Sequence, residues 1–196
     1  MRLHISILSF LILFLCRDGA AQPLLFNVRQ DDSHIGFSIF KWGIIKEEGR
    51  FRDFSGSILY DPENPSHLEV EFTVQTRSID SRNESRDRAL RSDEFFHVSR
   101  YPTMTFKSQR SWITGTDRLM IEGDLTIKGV TKKIAVPVKL LGMTNTGGEL
   151  GTLIGFEADF SINREDFNVG EGWSIIGREA TIHLLIGAGA KTIVSR

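Results

Sequence analysis

The chain has a single cysteine, Cys16, and it stands within the first 21 residues. Beyond Ala21 neither a disulfide nor a thiolate metal site can form, so stability has to come from a buried core. Charge of one sign is lacking too: 24 basic residues face 25 acidic ones, and without residues 1–21 the balance is 22 against 24, a net of −2. Nothing here attracts a polyanion, which excludes nucleic acid as a partner. Only 5 prolines accompany 18 glycines and 40% hydrophobic residues, so disorder is not indicated. No G-x-S-x-G elbow, Walker lysine loop or G-x-G-x-x-G follows a strand pattern. His34, His67, His97 and His183 are scattered without H-x-H or H-E-x-x-H spacing. The reading is therefore of a non-enzyme, with no catalytic residues, no metal and no cofactor.

The longest apolar stretch is also short. Ile5–Leu15, broken only by Ser6 and Ser9, follows Arg2 and His4 and precedes Gly19, Ala20 and Ala21. It is too short to span a bilayer stably, and its order of basic, apolar and small residues is that of a secretory signal peptide. Gly19 at −3 and Ala21 at −1 place cleavage after Ala21, giving a leader 1–21 and one mature domain 22–196 that is secreted or periplasmic.

What the mature sequence does contain is alternation. Leu68, Val70, Phe72 and Val74 interleave with Glu69, Glu71, Thr73 and Gln75, one face apolar and one wet. Similar runs cover Leu119–Ile127, Ile134–Leu140, Ile154–Ile162 and Ala180–Ile186. Earlier candidates are Leu24–Val28, Ile35–Ile39, Arg50–Tyr60 and Thr103–Ser108. Short turn strings such as Lys128-Gly129 separate them, so neighbours should be antiparallel. A helix fits only between Ser81 and Phe96, where Ser81 and Glu84 have capping-box spacing. Eight or nine such strands best remove their edges by closing into a barrel, whose interior is either filled or holds one ligand.

Several strings are more specific than single residues. They are Asp32-Ser33-His34-Ile35-Gly36-Phe37, Gly49-Arg50-Phe51, Phe54-Ser55-Gly56, Ser78-Ile79-Asp80-Ser81-Arg82-Asn83, Arg86-Asp87, Ser92-Asp93-Glu94-Phe95-Phe96, Tyr101–Ser108, Gly123–Lys132 and Asn163–Phe167. In this order they resemble the YceI family of lipocalin-like, polyisoprenoid-binding periplasmic proteins, over roughly Phe26 to Ala188. The resemblance implies an all-β fold: a single extended antiparallel eight-stranded barrel with a short helical insertion, holding a long isoprenoid or similar lipid along its axis. By matching positions it places Phe37, Phe51, Phe72, Leu90, Phe95, Phe96, Tyr101, Phe106 and Phe160 at the cavity or its mouth, with Arg164 as a candidate for the polar head of the ligand. The sequence departs from the family pattern at Phe40–Gly43 and at Lys128, positions where histidine is common.

Three functions remain open at this point. The first is non-catalytic carriage or sequestration of an isoprenoid-type lipid. The second is a lipid-modifying enzyme, for which His34 with Asp32 is the one acid–base candidate. The third is a ligand-free structural or partner-binding barrel. The oligomeric state is open as well, with a homodimer among the options.

Overall fold

The computed structural model describes residues 23–147 and 151–190, so the expected leader and the cleavage site lie outside the described residues. The strands are β1 (Leu24–Val28), β2 (His34–Lys41), β3 (Ile45–Phe51), β4 (Phe54–Tyr60), β5 (Leu68–Gln75), β6 (Ile79–Asp80), β7 (Thr103–Ile113), β8 (Arg118–Ile127), β9 (Val130–Asn145), β10 (Thr152–Asn163) and β11 (Ile176–Ala190). The helix α1 (Glu84–Arg91) lies between β6 and β7. Pairing is antiparallel and runs β1-β4-β5-β7-β8-β9-β10-β11, and β11 returns to β1 to close the ring.

The other three strands extend this ring instead of adding a sheet. β2 continues β1 past a 3-10 turn at Gln30–Asp32, β4 continues β3 past Arg52 and Asp53, and β6 continues β5 past a 3-10 turn at Thr76–Ser78. The registers prove the continuity: Leu24 faces Tyr60 and Lys41 faces Ile45 along one pair, while Tyr60 faces Leu68 and Arg50 faces Asp80 along the next. The result is a closed meander of eight staves, three of them kinked, as the alternation and the resemblance predict.

The single strand expected over Arg50–Tyr60 is thus two. Phe51 and Phe54 are both buried although three residues apart, which a period of two forbids in an unbroken strand. The backbone groups freed at the kinks are taken up by neighbouring staves. Gln75 N–H donates to Asp53 O at 2.9 Å, Arg52 N–H to Ser78 O at 3.3 Å, and the Gln30 side chain to Phe54 O at 2.7 Å.

The filling of the barrel changes along its axis. Towards the 61–67 and 114–117 turns the barrel is filled: Phe26, Tyr60, Leu119 and Ile154 are all at or below 4% exposure, and Tyr60 meets Phe156 edge-on. The opposite end carries the 42–44 turn, α1 and the 164–175 loop. There α1 is capped by Asn83, whose side chain accepts from Arg86 N–H at 3.0 Å. The cap expected from Ser81 with Glu84 does not form. Ser81 instead donates its N–H and hydroxyl to the buried Asp87 at 2.8 and 2.6 Å, which ties the helix to β6.

Candidate functional site

Between the filled end and the helix lies a cavity of about 520 Å³, within the range of small-ligand sites. It reaches from Phe156 to Ile162 along β10, about 20 Å of strand. Inward-facing Phe37, Phe72, Val74, Phe106, Leu125, Phe160, Ile162 and Leu184 all keep partial accessibility although they point into the barrel. A filled core would have covered them; here they face empty space.

Three glycines keep that space open. Phe37 lies against Gly49 of the adjacent strand, Phe72 against Gly56 and Phe106 against Gly123. A Cβ at Gly123 would come within 2.8 Å of the Phe106 ring, and one at Gly56 within 3.0 Å of Phe72. Missing side chains on one strand let the neighbouring rings lie flat on the wall instead of crossing the lumen. The aromatics therefore plaster the barrel and do not plug it.

Polar groups gather at the mouth. Arg86 from α1 pairs with Glu47 of β3, and its remaining N–H groups donate to the Ser81 hydroxyl and carbonyl at 2.9 Å each. Lys41 lines the mouth and holds its Nζ 4.2 Å above the Trp42 ring. The loops of this end are latched together: Lys128 Nζ donates to Asn168 O at 2.7 Å and Glu94 O at 3.3 Å, and burial pushes its pKa down.

Nine of the residues singled out from sequence line this cavity: Phe37, Phe51, Phe72, Leu90, Phe95, Phe96, Phe106, Phe160 and Arg164. Tyr101 does not. Its ring packs outside the lumen against His97 and Arg100, over Gly129. Arg164 lines the cavity but has no donor to offer a head group. Its guanidinium donates to the carbonyls of Val169, Gly170, Trp173, Ile176 and Gly177, and it is 5% exposed. It is the hub of the 164–177 segment, and burial holds its pKa below the usual arginine value. Residues missed by the resemblance are of two kinds. Val74, Ile134, Ile162, Ile182 and Leu184 were already marked by alternation; Arg86 stands in one of the strings that carry the resemblance but was given no place at the cavity, and Glu47 and Trp173 carried no sequence signal.

A hydrogen-bonded Ser–His–Asp row does form, away from His34 and Asp32. On the outer face, Ser38 Oγ lies 3.1 Å from His183 Nε2, and His183 Nδ1 lies 2.6 Å from Asp159. The order is that of a nucleophile triad, but the exposures are inverted. Ser38 is 5% exposed, while the Asp159 side chain is open to solvent. β2 is bonded on both sides, to β11 and β3, so the backbone around Ser38 is held in ladders. Among the described residues no three His, Cys, Asp or Glu side chains are grouped to hold a metal, and no helix is long and apolar enough to cross a membrane.

A YceI-like domain model matches residues 26–188. The chain belongs to the YceI-like family. A UPF0312 protein of Pseudomonas paraeruginosa is 37% identical over 153 residues, 77% of this chain and 79% of that protein. The YceI protein of Salmonella arizonae is 36% identical over 155 residues, with the same coverage. Among solved structures, BcnA of Burkholderia cenocepacia superposes with a TM-score of 0.74 at 27% identity, over 82% of this chain and 98% of BcnA. A polyisoprenoid-binding domain from Saccharophagus degradans shares the fold at a TM-score of 0.62 and 14% identity, over 85% and 99% of the two chains. The YceI-like barrel is thus the frame on which the apolar lumen and its latched mouth are built.

Proposed function

We propose that this protein captures a long apolar, isoprenoid-type lipid without chemical change and carries or sequesters it in the periplasm, which it reaches by the leader at residues 1–21. The observation that carries the reading is the lumen: apolar side chains along most of its length, with Lys41, Glu47, Glu48 and Arg86 gathered at the mouth. Burying a five-carbon unit contributes roughly 4 kcal/mol at about 0.8 per carbon, against an association cost of about 4–15 kcal/mol. Two to four buried units therefore suffice, and selection works by length and shape. Since Arg164 is fully engaged, contacts to a polar head fall to the rim at Lys41 and the Arg86–Glu47 pair. The polyisoprenoid-binding domain that shares this fold supports the choice of ligand class.

The covered Ser38, on a strand bonded on both sides, favours binding over catalysis. Mass spectrometry of organic extracts from protein purified out of a secreting host tests the reading. A stoichiometric isoprenoid lipid and a mature N-terminus at Gln22 are expected. Lipid-free protein that also fails to take up added isoprenoid, or a chain retaining residues 1–21 in the cytosol, would overturn it.

A further inference from the structure

We infer that the rim of the cavity is a bilayer-docking surface, through which the lumen is loaded directly from a lipid surface; this rests on the lipid-binding reading above. The β2–β3 hairpin ends in a turn at Trp42 and Gly43, both with positive φ, closed by Ile44 N–H donating to Lys41 O at 3.2 Å. Such tips normally carry polar residues. Here Ile44 is 80% exposed and Trp42 57%, flanked by exposed Phe40 and Ile45. Trp42 N–H donates to Ile175 O at 2.7 Å, which brings exposed Trp173 and Ile175 into the same patch. Six large apolar side chains on two adjoining loops exceed the scattered exposure that surfaces tolerate.

The occupant follows from where the patch lies. Trp173 and Ile175 belong both to the patch and to the cavity lining, so on the side of the 164–175 loop apolar side chains join the hairpin tip to the lumen. A lipid leaving a bilayer by this route would slide along these apolar side chains. The chemistry of the tip is interfacial: an indole, protruding aliphatics, and a lysine lying along the Trp42 ring with its ammonium free to reach head groups. The basic side chains Lys46 and Arg82 beside the tip are paired with Glu48, and Arg86 with Glu47. Docking is therefore driven by apolar insertion and not by anionic lipid.

The test uses the full mature chain and neutral phosphatidylcholine vesicles. A Trp112→Phe background removes the indole near the opposite end of the barrel, leaving Trp42 and Trp173 as reporters. Quenching of their fluorescence by bromine-labelled acyl chains is expected, insensitive to salt. Neither Ile44 nor Trp42 is itself a lining residue; Ile44→Asp and Trp42→Asp should each lower the vesicle partition coefficient about tenfold or more. Uptake of an isoprenoid alcohol from detergent should stay at the wild-type level in both variants. No quenching in the wild type, partitioning confined to anionic vesicles and abolished by salt, or equal partitioning of Ile44→Asp would overturn the docking surface. So would self-association of the wild type that Ile44→Asp abolishes, since the patch would then bury a second copy. Loss of uptake from detergent in the wild type instead strikes the lipid-binding reading, and the two failures are told apart.

Discussion

Gly49→Ala probes the open lumen with a single methyl group. The added Cβ would overlap the Phe37 ring, coming within 2.8 Å of Cε1 and 3.2 Å of Cε2, while no backbone atom obstructs it. The ring has to leave the wall. It can do so because the lumen beside it is empty, so the substitution does not overpack the interior as it would in a filled core. Two small effects on stability oppose each other: a gain of about 0.4–1 kcal/mol through the unfolded chain and a loss of about 0.5–1.5 kcal/mol for an off-rotamer ring. The net should lie within about 1 kcal/mol, a shift of roughly 2–4 °C in Tm. The displaced ring excludes on the order of one or two ligand carbons, so affinity for an isoprenoid alcohol should fall roughly 4- to 15-fold at about 0.8 kcal/mol per carbon. Thermal melts and a fluorescent-lipid titration supply both numbers. Unchanged affinity with a Tm lowered by much more than this would mean that Phe37 packs in a filled core and that the cavity is not the binding site.

Other outcomes follow from the same geometry. Phe26→Ala, at a fully buried site in the filled end, should lose about 3–5 kcal/mol, whereas Phe72→Ala on the cavity wall should lose less stability and more lipid. Arg164→Leu leaves five carbonyls without their donor and should destabilise the 164–177 segment strongly in a chemical melt, with no change in ligand head-group preference. Hydrogen bonds from Arg52, then from the Arg82 backbone, hold the Asp80 carboxyl at about 2. A depressed carboxyl contributes stability that is present above its unfolded value near 4 and lost as pH falls through about 2, so Asp80→Asn should remove that part of the acid-unfolding curve. Ser38→Ala should leave the rate of ester hydrolysis at background; a measurable activity that this variant abolishes would make the outer-face triad catalytic.

Alternation carried most of the barrel because it is enforced locally. Leu68 to Val74 read correctly as an inward row, and closure followed from the number of such rows. The kinks were harder to see, since each moves only a few residues out of register. Yet Phe51 and Phe54 held the clue, two inward aromatics at odd spacing. The choice between a filled and a hollow barrel was not legible, because the same phenylalanines serve either; what decides it is which of them face Gly49, Gly56 and Gly123 across the sheet. Arg164 misled for a related reason. Its basic charge suggested a ligand partner, but the carbonyls that surround it come from a loop whose fold no local pattern announced. The Ser38–His183–Asp159 row was equally hidden, its members being brought together only by cross-strand register.

The most direct test of the hydrocarbon lumen is photocrosslinking with an isoprenoid that carries a diazirine near its apolar end, followed by peptide mapping. Labelling is predicted on inward residues of the lumen, above all Val74, Leu125, Phe160 and Leu184. Labels on outward-facing Glu71, Lys107 or Asp159, or none on the inward row under saturating ligand, would contradict the account.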